Sequence, residues 1–168
     1  MKFLPAFILS LLLGAGVAHA QLDQTEDAVN AAFGKPFGAP HTAGAIKIAT
    51  YRTTANEITV GFKDGKAIYL IYRKSSGAEW APAEVTALLS SNVPGGNGHE
   101  YWEKTTGTVR AQYHIDGTST AHMGNVQSWQ LYKNKNLQAE FHPELKVVVI
   151  WDSAGGLDGA AILTQNPL

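Results

Sequence analysis

Apolar and polar positions alternate most clearly in the segment Glu57–Lys74. In its first part the apolar side chains recur at every second position, which indicates a strand with one buried face: Ile58, Val60 and Phe62. Asp64-Gly65, between two apolar runs, predicts a tight hairpin turn, because glycine accepts the positive φ that such a turn requires. The second run, Ala67–Tyr72, is apolar throughout, so we expect a central strand covered on both faces.

Two helices are predicted, one on each side of this hairpin. Gln24–Phe33 contains Thr25 as a candidate N-cap, followed by two acidic residues that favour the positive end of a helix. Gly34 and Pro36 predict its end. The second helix is expected to begin at Pro82, because proline is favoured in a first turn, and its apolar stripe is Val85, Leu88 and Leu89.

Further strands are predicted from short apolar or alternating runs bounded by turn residues. These runs are Ala45–Arg52, Thr108–Asp116, Gln127–Tyr132, Asn136–Phe141 and Lys146–Trp151, with a short last strand at Ala160–Thr164. Asn92–His99 is predicted to be a loop on composition. The pattern predicts an α+β fold in which two short helices pack on one face of an antiparallel sheet of about six strands.

The two halves of the chain resemble each other at an offset of 79 residues. This offset places Ile58 on Leu137 and Phe62 on Phe141, and it places Ile68–Tyr72 on Val147–Trp151. One interpretation is a tandem pair of α-β-β-β units, residues 21–78 and 79–168. The alternative is that two apolar hairpins align this well by chance.

The first twenty residues predict a signal peptide. Lys2 provides a positive start, an apolar run follows, and Ala18-His19-Ala20 is a small-x-small cleavage site. The alternative is a retained membrane anchor. With cleavage, residues 21–168 form a single domain, and we expect a periplasmic or secreted protein with no membrane span.

Charge and cysteine content narrow the function classes. Without Lys2 the chain has 12 basic and 14 acidic side chains, a net charge of −2, which argues against a nucleic-acid binder. It contains no cysteine. Disulfides and a thioether-linked lipid anchor are therefore excluded, and hydrophobic burial must hold the fold together.

The helix that ends at Gly34-Lys35-Pro36, followed by a β-meander with Phe62-x-Asp64-Gly65-Lys66 at the hairpin, resembles small exported modules of the SmpA/OmlA and β-lactamase-inhibitor-protein type. The resemblance extends over Thr25–Lys74. The chain lacks the lipobox cysteine of the first group and the disulfides of the second. The resemblance implies a protein-binding scaffold without catalysis.

A metal-dependent protein or hydrolase is the alternative function. His114-x-Asp116 would place two ligands on the same side of a strand, and His122 follows the next turn, a set of donors that suits Zn²⁺. Histidines in strands more often bond a neighbour or face solvent. The chain also has no cysteine and no Gly-x-Ser-x-Gly nucleophile elbow, so we predict no catalytic residue and no cofactor.

Aromatic residues outside the strand patterns are the candidate contact residues: Trp80, Tyr101 and Trp102. Such rings often anchor protein interfaces, although they also cover the edges of cores. We therefore expect an exported, non-enzymatic binding or inhibitor-like module that contacts a protein or a component of the cell envelope.

Overall fold

The structure, a computed structural model, describes residues 22–93, 101–114, 121–132 and 134–166, with the backbone alone for residues 106–114 and 121–124. The signal peptide predicted for residues 1–20 lies outside the described residues. In chain order the elements are α1 (Glu26–Phe33), β1 (His41–Ala43), β2 (Ile46–Arg52), β3 (Asn56–Lys63), β4 (Lys66–Lys74), α2 (Pro82–Ser91), β5 (Trp102–His114), β6 (Ala121–Leu131), β7 (Leu137–His142), β8 (Val147–Asp152) and α3 (Gly159–Gln165).

The strands form one antiparallel sheet in the order β1-β2-β3-β4-β8-β7-β6-β5. Each half of the chain supplies a helix followed by a meander of four strands, and the last strands of the two meanders, β4 and β8, pair at the centre. The predicted α+β class with an antiparallel sheet is confirmed, and the described residues form eight strands in place of about six. The proposed duplication stays a prediction.

Local signals for the hairpin and the helix ends are confirmed. Asp64 and Gly65 have φ values of 52° and 75°, the left-handed conformation that a two-residue hairpin turn requires. Thr25 caps α1, since its Oγ1 accepts a hydrogen bond from the Ala28 N–H at 3.3 Å. Gly34 ends the helix with a φ of 86°, and α2 begins at Pro82.

Apolar side chains cover both faces of the sheet centre. On the front face, defined here as the one that carries α1 and α2, Leu70 and Ile150 pack with Val29, Val85 and Leu89. The opposite face is the back face, where Ile162 and Leu163 of α3 pack with the sheet residues Ile48, Tyr69, Ile71, Val149 and Trp151. The prediction that β4 is covered on both sides is thus confirmed.

The prediction of a last strand at Ala160–Thr164 is wrong, because this segment lies in helix α3. Asp158 starts the helix by accepting a hydrogen bond from the Ala161 N–H at 2.7 Å. A short apolar run has no clear period, and here the apolar back face of β4 and β8 selects the helical form that covers it. Within the described part of the chain, no helix has the length and apolar character needed to span a membrane.

Gly61 allows the Tyr69 ring to lie directly on β3. A Cβ at position 61 would collide with the carbons of that ring, whereas a Cβ at Gly155 would meet nothing within 4 Å. We therefore expect Gly61→Ala to lower the free energy of unfolding by about 1–3 kcal/mol, the usual effect of overpacking. Urea denaturation measures this change. Gly155→Ala is the matched control, and an equal loss in both variants would contradict the prediction.

Buried tyrosines make the free energy of unfolding depend on pH in the alkaline range. Burial raises the pKa of Tyr69 to about 12, although the hydrogen bond with Asn166 opposes the shift. Burial, with a smaller contribution from Glu26, raises the pKa of Tyr51 to about 12 as well. Above about pH 10 the unfolded chain ionises these phenols while the folded chain keeps their protons, so the free energy of unfolding falls as the pH rises toward 12.

Substituting either phenol should reduce this fall. We expect Tyr69→Phe and Tyr51→Phe to show a smaller loss of unfolding free energy than the parent when urea denaturation is compared at about pH 9 and about pH 11. An unchanged loss in both variants would show that these phenols do not cause the pH dependence.

Candidate binding surface

Trp80 is part of the front-face core. Its side chain is only 8% exposed. The indole Nε1–H donates a hydrogen bond to the Lys146 carbonyl at 3.0 Å, and Lys74 Nζ lies 5.5 Å from the ring centroid. Trp80 thus joins the segment before α2 to the turn before β8.

Lys74 and Glu84 hold the start of α2 beside this tryptophan. Lys74 Nζ lies 2.6 Å from Glu84 Oε2, and the same carboxylate accepts the Ala81 N–H at 2.7 Å. The hydrogen bond from Lys74 lowers the pKa of Glu84 most, and the bond from the Ala81 N–H lowers it further. Because Glu84 satisfies an N–H group at the helix start, the segment around Trp80 is firmly fixed.

Trp102 is half-buried and fixes the start of β5 to the other end of α2. Its Nε1–H donates a hydrogen bond to the Leu89 carbonyl at 2.7 Å, and the same carbonyl accepts the N–H of Asn92 at the end of α2. The ring packs against the front-face core. A helix of ten residues is about 15 Å long, so Trp80 and Trp102 lie well apart, at opposite ends of α2.

Tyr101 is 52% exposed and stacks on Tyr132, which is 39% exposed. The ring centroids are 4.8 Å apart and the ring planes differ by 11°. The Tyr132 N–H donates to the Tyr101 carbonyl at 2.8 Å, which continues the pairing of β5 and β6 beyond Trp102 and Leu131. The two rings therefore form one exposed aromatic surface on a paired backbone.

Two opposite charges border this surface. Lys135 Nζ lies 2.7 Å from Glu103 Oε2 and 5.7 Å from the centroid of the Tyr132 ring. We call Tyr101, Tyr132, Glu103 and Lys135 the tyrosine patch. Sequence reasoning named Tyr101 but missed Tyr132 and Lys135, because Tyr132 read as the end of an ordinary strand. Among the three residues predicted for partner contact, only Tyr101 belongs to the patch; Trp102 supports it from the core side.

The histidine hypothesis falls largely outside the described side chains. His114 pairs with Ala121 and His122 pairs with Tyr113, so both backbones lie on neighbouring rungs of the β5–β6 pair. Asp116 lies outside the described residues. Among the residues that the structure describes, no group of three histidine, cysteine, aspartate or glutamate side chains has the arrangement of a metal site. The metal hypothesis stays a prediction.

Strand β7 ends at a buried histidine, His142, which the sequence analysis did not include in the strand. His142 is fully buried, and its Nε2 lies 3.0 Å from Glu140 Oε2. Gly159, the first residue of α3, packs directly on the Glu140 carboxylate. The pair thus lies between β7 and the start of α3.

Comparisons with known proteins add no assignment. A scan against protein-family models, a search of curated proteins and a search of solved structures each gave no match to this chain. The resemblance to exported modules of the SmpA/OmlA and inhibitor type therefore stays a prediction.

Metal analysis tests the histidine hypothesis. We expect purified, dialysed protein to contain less than stoichiometric zinc, because ligands scattered over one hairpin rarely complete a tetrahedral site. Inductively coupled plasma mass spectrometry measures the metal. One equivalent of zinc that is lost in His114→Ala and kept in His41→Ala, whose substitution lies on β1 at the other edge of the sheet, would contradict this expectation.

Proposed function

We propose that this protein is an exported, non-enzymatic binding module that contacts a protein partner, in solution or in the cell envelope, through the tyrosine patch. The observation that carries the proposal is the exposed stack of Tyr101 on Tyr132. Tyrosine combines a large apolar ring with a hydroxyl group, and it is enriched among the residues that dominate the energy of protein interfaces.

The support beneath the two rings favours binding. Trp102 anchors the backbone next to Tyr101 through its hydrogen bond to the Leu89 carbonyl, and the Tyr132 N–H bonds the Tyr101 carbonyl. The two rings also restrict each other by stacking. Their ordering cost is thus largely met in the free protein, which leaves more of the contact energy for affinity.

The charged pair beside the rings favours a selective contact. Glu103 and Lys135 neutralise each other at 2.7 Å, so the patch carries little net charge of its own. An exposed pair of this kind contributes little to stability, about 0–1 kcal/mol. At the rim of an interface it acts on specificity, because a partner must offer matching charges or leave the pair intact.

Tyr101→Ala combined with Tyr132→Ala should weaken binding of the partner. We expect an immobilised parent protein to retain one saturable partner from an envelope and secreted fraction, and the double variant to bind the purified partner at least about tenfold more weakly. Surface plasmon resonance with the purified partner measures the difference.

Phe37→Ala is the matched control, because Phe37 is 56% exposed and lies outside the patch, against Arg52 of β2. It should bind like the parent. Equal affinity of the parent and the double tyrosine variant would refute the proposed surface.

A further inference from the structure

An open groove with a volume of about 110 Å³ lies on the back face of the first meander, between the sheet and the end of α3. Its polar lining comes from β1 to β4 and from the residue that follows α3: His41, Thr50, Glu57, Thr59, Arg73 and Asn166. Pockets that hold drug-sized ligands commonly enclose about 300–1,000 Å³. This groove is smaller, so it suits only a small ligand.

Three charged residues occupy one row across the strands. Glu57 is directly opposite both Arg52 of β2 and Arg73 of β4. Its carboxylate bonds only one of them, since Arg52 Nε donates to Glu57 Oε2 at 2.8 Å. The Arg52 guanidinium also lies over the Phe37 ring, 3.7 Å from the centroid. Arg52 is therefore engaged, and the charge of Glu57 is compensated.

Arg73 is left as the unengaged cation of the row. It is half-buried, and its side chain makes no hydrogen bond or ion pair with any residue in the part of the chain that the structure describes. A guanidinium has five N–H donors in a planar fork that matches a carboxylate in two-point contact. This fork lines the groove.

A hydroxyl pair adds a further donor in the next row. Thr50 Oγ1 and Thr59 Oγ1 are 3.3 Å apart, so one hydroxyl donates to the other. The accepting threonine keeps its own hydroxyl hydrogen, which can be donated to a ligand. Thr59 is opposite Ile71, and Glu57, two residues earlier on β3, is opposite Arg73, so the hydroxyl pair and the fork belong to adjacent rows.

We propose that this groove binds a small monocarboxylic acid with a short aliphatic part. The carboxylate would accept hydrogen bonds from the Arg73 guanidinium and the threonine hydroxyl. The aliphatic part would pack against Ile48 and Ile71 on the floor of the groove. The charge balance selects a monoanion: with Arg52 paired to Glu57, Arg73 is the one uncompensated arginine among the described residues of this row and groove. A phosphate dianion would need a second free cation to offset its charge near Glu57.

This site is independent of the tyrosine patch. The groove is built on β1 to β4, whereas the patch is at the paired ends of β5 and β6, on the other half of the sheet. Loss of one binding activity should therefore leave the other unchanged.

Titration of isotope-labelled protein with 4-methylpentanoate tests the proposal, with 4-methylpentanamide as the uncharged match. We expect the acid to shift the amide resonances of Thr50 and Thr59 and the Arg73 Nε resonance, with a dissociation constant on the order of 1 mM. The amide should cause no such shifts. This comparison uses the parent protein, so it does not depend on the folding of any variant.

Three variants give opposed expectations. Arg73→Gln should weaken binding of the acid by about tenfold or more, because it removes the charge-assisted fork. Glu57→Gln should strengthen binding, since it removes the nearby negative charge and frees Arg52. Lys63→Gln removes one positive charge about 20 Å further along β3 and should leave the affinity unchanged.

Several results would overturn the proposal. These are the absence of shifts with the acid, equal shifts with the amide, or equal losses in Arg73→Gln and Lys63→Gln. A further contradicting result is that a tripeptide with a C-terminal leucine binds in the groove while the free acid does not. The ligand would then be the carboxylate terminus of a peptide and not a small acid.

Discussion

The pairing of β4 with β8 is the constraint on which the rest of the structure depends. Tyr69–Arg73 are opposite Val147–Trp151, and this antiparallel contact joins the two meanders into one sheet. Both strands are buried on both faces: residues 69–72 and 147–151 are at most 4% exposed. In a chain without cysteine, no disulfide can replace this contact. Burial at the seam must therefore stabilise both halves together, and a change that weakens it should loosen both meanders at once.

The same central pairing also determines which surfaces of the sheet the helices cover. Helices α1 and α2 cover the front of the seam and α3 covers its back, so the most apolar part of the sheet is closed. Two accessible regions of the described residues lie toward the sides: the back of β1 to β4, and the end of the β5–β6 pair. These two regions differ in chemistry. The first presents an unengaged guanidinium and hydroxyl groups, and the second presents two stacked rings with a neutralised charge pair.

Local signals made much of the fold predictable, but the register in which the strands pair could not be predicted from the sequence. The Asp64-Gly65 turn and the Thr25 cap are decided by neighbours in sequence, so both were read correctly. At the offset of 79 residues, Val60 corresponds to Ala139. In the sheet Val60 is opposite Leu70 and Ala139 is opposite Ile150, so their partners differ by 80 residues. The cause is a longer turn before β8, partly offset by a one-residue register shift between Gly61 and Phe62.

The candidate sites depend on choices between neighbours that composition does not encode. Trp80 and Tyr101 both lie outside strands, yet the first is 8% and the second 52% exposed, because an indole N–H has a carbonyl partner at Lys146 while the phenol ring has another ring to lie on. Arg73 became a candidate only because Glu57, placed between two arginines, bonds Arg52. The Arg52 guanidinium stacks on Phe37, which holds it in place and gives Glu57 a fixed partner. One exposed phenylalanine, unremarkable in the sequence, thus determines which arginine of the row remains available to a ligand.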